Sequence, residues 1–284
     1  MDATLENLEN IIPSNCSINE DQVAVLQYLI KKTIEKTGLS AKAASIIVAL
    51  QHLIAKQGLV GEIRPSQQIS SQLQDYLKVS DTLFPENSDI WNSNEMKAIA
   101  EELMRATETY IKELTKLIDG ESDPCNQIVV FSSEVLVGMV KLEKNCLEYD
   151  SQGKATSDLI MPQENATAPS LNENQPINSI RILATVFDAL ANAQEITIST
   201  VLYESLDTVL TQEMSEESKI QTNNTKVIVN SKVFGVTIEP QLPEEYIWGK
   251  DMVLEIRLQL IVKNLDSQNQ LFCAYYKVDQ YVCL

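Results

Sequence analysis

Residues 226–238 read Lys-Val-Ile-Val-Asn-Ser-Lys-Val-Phe-Gly-Val-Thr-Ile, residues 252–262 read Met-Val-Leu-Glu-Ile-Arg-Leu-Gln-Leu-Ile-Val, and residues 271–284 read Leu-Phe-Cys-Ala-Tyr-Tyr-Lys-Val-Asp-Gln-Tyr-Val-Cys-Leu. Each run is rich in β-branched and aromatic residues, alternates apolar with polar positions, and is bounded by polar turns. That pattern predicts consecutive antiparallel strands with one buried face. In the middle run Met252, Leu254, Ile256, Leu258, Leu260 and Val262 share one face, which is expected to be core.

Working back toward the N-terminus, the period changes. Helices are expected from Asn19 to Gly38, from Ser40 to about Lys56, from Pro65-Ser66 to about Leu77, and from about Ser93 to Ile118. Their apolar residues recur at three- and four-residue spacing, for example Ile46, Ile47, Leu50, Leu53 and Ile54, or Ile99, Leu103, Tyr110, Ile111 and Leu114. Asn19 and Ser40 are capping residue types, and glycines stop the first two helices. After Pro124 the period falls to 2, with strands at Ile128–Phe131, Val135–Leu142, Leu159–Met161, Ile180–Phe187 and Ile196–Leu202. A short helix over about Ser205–Glu213 follows. Helices followed by strands make an α+β chain. The expected organisation is an N-terminal helical subdomain over 1–120 and an antiparallel β-sandwich subdomain over 121–284.

With 284 residues, 44% of them hydrophobic and only 8 Gly and 9 Pro, the chain is long and apolar enough to bury a sizeable core. Lys+Arg is 22 against 40 Asp+Glu, a net charge of -18, which argues against nucleic acid and anionic lipid as partners. There is no Cys-x-x-Cys and only one histidine, so no zinc site is expected, nor any cofactor. Met1-Asp2-Ala3-Thr4 lacks a basic start and an apolar core, so no signal peptide is read there. No run approaches the roughly 20 apolar residues that span a bilayer. The chain is therefore expected to be either a soluble protein or a piece of a larger membrane protein, and the second reading is preferred.

The order of motifs resembles the GAIN domain of adhesion G-protein-coupled receptors and polycystin-like proteins. The resemblance rests on the Asn230-Ser-Lys-Val strand, an acidic, Pro-containing turn, the long apolar strand, and Cys273-Ala-Tyr-Tyr276. That last run is like the family's GPS motif, with Tyr276 where Trp is usual. Ile198–Leu210 and Glu134–Leu142 are similar to segments further upstream in the family, so the likeness covers about 20–284. It implies an extracellular, cell-surface domain that holds a C-terminal tethered strand and signals to the membrane helices of its parent protein. An extracellular protein ligand is a candidate partner, and this chain is not itself expected to insert into a membrane.

The resemblance also implies a chemistry. The family cuts itself at His-Leu/Ile-Ser/Thr, where the histidine takes the hydroxyl proton and the oxygen attacks the preceding carbonyl. Residues 1–284 contain only His52-Leu53-Ile54, which offers no nucleophile, and they stop one residue after Cys283. The chain is expected not to self-cleave, and His52 is read as structural. The five cysteines are Cys16, Cys125, Cys146, Cys273 and Cys283. Cys273 and Cys283 are disulfide candidates, with each other or with partners further on. Cys125 and Cys146 bracket the first strand pair and are a second candidate pair. Free buried thiols stay open as the alternative. Asn15, Asn165 and Asn223 head glycosylation sequons. Tyr275, Tyr276, Tyr281, Trp91 and Trp248 are read as packing residues. Two other functions stay in view: an acidic soluble scaffold for protein–protein interaction, and an enzyme with an unrecognised site.

Overall fold

The computed structural model describes residues 25, 28, 32, 41–57, 63–81, 94–119, 125–143, 146–161, 179–204, 206, 233–242, 254–257, 274–277 and 280–283. Helix α1 is Ala41–Gln57, α2 is Ser66–Asp81 and α3 is Asn94–Lys116. Then come β1 (Ile128–Phe131), β2 (Val135–Glu143), β3 (Leu159–Met161), β4 (Ser179–Ile182), the short helix α4 (Ala184–Ala189) and β5 (Glu195–Tyr203). The last strands are β6 (Val233–Glu239), β7 (Leu254–Arg257), β8 (Ala274–Lys277) and β9 (Gln280–Cys283). Every pairing between these strands is antiparallel. The chain is α+β, helices first, as its periodicity predicts.

The helices form where residue chemistry favours a start. Pro65 opens α2, and its carbonyl accepts the N–H groups of Gln68 and Ile69 at 3.0 and 3.2 Å. A fixed φ suits the first turn, where one N–H is free in any case. Ile69, Leu73, Tyr76 and Leu77 follow at three- and four-residue spacing and are all buried. On α3 the buried line is Ile99, Leu103, Ala106, Tyr110 and Leu114. A single parallel bridge ties the ends of the two helices: Arg64 donates to the Leu117 carbonyl at 2.7 Å, and Asp119 donates to that of Arg64 at 3.0 Å. From the first expected helix, Val25, Tyr28 and Lys32 are helical, and Val25 and Tyr28 are exposed. The apolar positions read for that helix lie outside the described residues.

The strands make a four-stranded sheet in the order β1-β2-β5-β6, a three-stranded sheet in the order β3-β4-β7, and the β8-β9 hairpin. Side-chain alternation sorts the four-stranded sheet into two faces. Val135, Val137, Met139, Val201 and Tyr203 join the core formed by the three helices. Val140, Leu142, Ile196 and Ile198 join a second core with Met161, Ile180, Ile182 and, from α4, Val186 and Phe187. Phe234, Val236 and Ile238 of β6 flank this second core. The result is three layers: helices, the four-stranded sheet, and the smaller sheet with α4. The carboxylate of Asp81, at the end of α2, fastens the β1–β2 turn by accepting from Ser132 Oγ at 2.7 Å and the Ser133 N–H at 3.2 Å.

Two sequence readings need correction, and the central strands carry a burial that period-2 alternation alone does not specify. Every residue of β5 after Glu195 is buried, because helices cover one side and the second sheet covers the other. First, Ile180–Phe187 is not one strand. The chain leaves β4 at Ile182 and turns into α4, whose first free N–H, that of Ala184, donates to Asp158 Oδ1 at 2.8 Å. A β-branched run this short fits either state, and the second core takes Val186 and Phe187 from a helix. Second, the face expected to be core is partly open: Ile256 lies opposite the fully buried Ile180, yet it is 51% exposed. Among the described strands β7 is an edge, so its apolar face is covered from one side only. Leu254 is half-buried; Met252, Leu258, Leu260 and Val262 lie outside the described residues.

Candidate functional site

At the C-terminal end β8 and β9 form a tight hairpin, with Ala274 opposite Cys283, Tyr275 opposite Val282, Tyr276 opposite Tyr281 and Lys277 opposite Gln280. Tyr276, the GPS-like aromatic, is therefore a strand residue in register with a second tyrosine. Cys283 closes β9. Its candidate partner Cys273 lies outside the described residues, as do Cys16, Trp91, Trp248 and the sequon residues Asn15, Asn165 and Asn223.

Cys125 and Cys146 are joined by a disulfide. Cys125 precedes β1 and Cys146 follows β2, so the bond closes the open end of the first hairpin. The Cys146 sulfur also accepts the Glu143 N–H at 3.3 Å. His52 sits on α1 with its Nε2 2.9 Å from Glu102 Oε2 on α3. Glu102 also holds Arg105 at 3.1 Å. His52 thus bridges two helices through a carboxylate.

Among the described residues, a cluster of titratable groups lies where α3 meets the sheet. A Cβ placed on Gly235 of β6 would fall 2.6 Å from Glu108 Oε1, so the carboxyl of Glu108 is seated on the strand backbone. Burial pushes that carboxyl up from 4.5 to about 7. Glu239, at the end of β6, receives Lys112 at 2.6 Å and Lys116 at 3.2 Å. Burial acts to raise the Glu239 carboxyl, but the two lysine hydrogen bonds outweigh it and hold it below its ordinary value. Behind Glu108, Tyr76 and Tyr110 stack with ring centroids 4.0 Å apart, and Tyr203 Oη donates to the Met104 carbonyl at 3.4 Å. Burial raises the phenols of Tyr76 and Tyr203; the nearby Thr107 hydroxyl partly offsets it at Tyr76, and the charge of Glu108 adds to it at Tyr203. The sequence offers one sign of this contact. Gly235 interrupts a strand run, which marks a close backbone approach. Glu108 itself reads as an ordinary surface charge.

The family model for GAIN subdomain B matches residues 139–281, from the middle of β2 into β9. The chain belongs to the GAIN family. No curated protein matches it. Helices α1–α3 and β1 lie ahead of the matched segment, and the helices pack on β2 and β5 within it. GAIN domains of this type occur in adhesion-receptor-type membrane proteins, typically in extracellular regions, and are not themselves catalytic enzymes. Among the described residues no helix is long and apolar enough to cross a membrane.

Proposed function

We propose that this GAIN domain is part of the extracellular face of an adhesion-receptor-type membrane protein, where it holds a tethered strand and passes its movement to membrane helices. In this reading residues 1–120 form the helical subdomain and 121–284 the β-sandwich subdomain. Residues 1–284 do not cut themselves, since their one histidine is followed by Leu53-Ile54. An extracellular protein is the outside ligand, and Asn15, Asn165 and Asn223 carry glycans. The family match over residues 139–281 carries this proposal. The half-open Ile256 on β7 supports it, because an added strand would regain main-chain hydrogen bonds and cover that apolar face.

The test compares residues 1–284 with a chain extended by the residues that follow in the parent protein, both secreted from a eukaryotic host. Each large apolar side chain that the added strand buries contributes roughly 1.5–3 kcal/mol before ordering is counted. The extended chain should melt several degrees higher and scatter less light, and glycosidase should reduce the mass of both. Equal melting temperatures together with a strictly monomeric shorter chain would remove the tethered-strand reading.

A further inference from the structure

We propose that Glu108 makes the seam between α3 and β6 a proton-controlled closure, seated when the carboxyl is neutral and loosened when it is ionised. This inference does not depend on the receptor reading.

Glu108 lies partly buried on the face of α3 turned to the sheet, and its carboxyl occupies the space that a Cβ at 235 would take, so any larger residue there would have to displace it. Among the described residues nothing forms a hydrogen bond or ion pair with that carboxyl. The cations that face this seam from α3 are committed elsewhere: Lys112 to Glu239, Lys116 to Glu239 and Glu113, and Arg105 to Glu102. From β6 the seam receives the carboxylate of Glu239, from β5 the phenol of Tyr203, and from α2 the phenol of Tyr76. None of these three offers a positive charge. An ionised Glu108 would stand unpaired in an apolar seam, where an uncompensated charge is strongly disfavoured. Relief comes from admitting water along the seam or from drawing Lys112 off Glu239, and either change weakens the hold of α3 on β6. Among the described strands β6 is the outer strand of its sheet, with β5 as its neighbour, so it has the least to keep it in place.

Proton binding sets the direction of the effect. A carboxyl raised from 4.5 to about 7 keeps a proton in the folded chain that the unfolded chain has released. Stability therefore falls as pH rises from 4.5 and stops falling from this cause above about 7. Acid tightens the seam and neutral pH loosens it, the reverse of the usual effect of acid on ion-paired carboxylates.

The experiment uses the full 284-residue chain. Carboxyl carbon NMR of the wild type should place the Glu108 midpoint near neutrality. Hydrogen exchange in 233–239, corrected for its intrinsic pH dependence, should speed up about tenfold between pH 5.5 and pH 8, while β2 stays protected. Glu108→Gln should abolish that difference and, from pH 5 to pH 8, should lose roughly 5 °C less in melting temperature than the wild type. A midpoint between 4 and 5 would overturn the proposal, as would β6 exchange that tracks β2 at both pH values. The two wild-type measurements decide the matter even if the variant does not fold.

Discussion

Tyr110→Ala is expected to lower the stability of helices and sheet together, by about 3–5 kcal/mol, the range for emptying a buried aromatic site. Tyr110 is fully buried on α3 and stacks on Tyr76 of α2. Its core also contains Val135, Val137 and Met139 of β2 and Val201 of β5. Two separately packed halves would respond differently, with the helical signal melting early and the β signal unchanged. One shared core predicts a single transition displaced for both. Circular dichroism resolved into helical and strand components, with exchange protection in β1, β2 and β5, decides between them. A variant that keeps full strand protection after its helices have melted would show that the two parts are not one cooperative unit.

Cys125→Ala combined with Cys146→Ala should destabilise the chain by about 3 kcal/mol, because a loop of this length is no longer closed in the unfolded state. The two cysteines are 21 residues apart and close the open end of the β1–β2 hairpin. Among the described strands β1 has β2 as its one neighbour, so the loss should concentrate there. Reduction of the wild type should match the double variant, and β1 amides should exchange faster than those of β5. A chain that melts at the same temperature with and without reductant would mean that the bond contributes nothing to folding.

The helices and most strands are legible in the residues because their patterns are local. Ile69, Leu73, Tyr76 and Leu77 mark a buried helix face whatever else the chain does, and the structure runs that helix on to Asp81. Ile128–Phe131 and Leu159–Met161 are strands at the bounds that alternation suggests. What escapes is set by distant partners. β5 reads as a strand from its composition, but burial of both its faces depends on distant partners, the helices on one side and the second sheet on the other, as the bond from Tyr203 to the Met104 carbonyl, 99 residues earlier, illustrates. Ala184–Ala189 is decided by the second core rather than by propensity. At the candidate site, the C-terminal motif is legible because it is contiguous, and it lies at the end of the segment that the family model matches. The Glu108–Gly235 contact joins residues far apart in sequence, so neither residue announces it alone.

The double burial of the middle sheet also bears on how such a chain can diverge. An ordinary sandwich strand leaves every second side chain facing water, and those positions can drift freely. β5 has no such freedom beyond Glu195, and β2 has little: even Lys141, paired to Glu195 at 2.9 Å, keeps a side chain only 10% exposed. Substitutions in either strand must satisfy two packing surfaces at once. Change in relatives of this chain should therefore collect in the outer strands and the connections, while the two central strands change only together with the helix or strand residues that press on them.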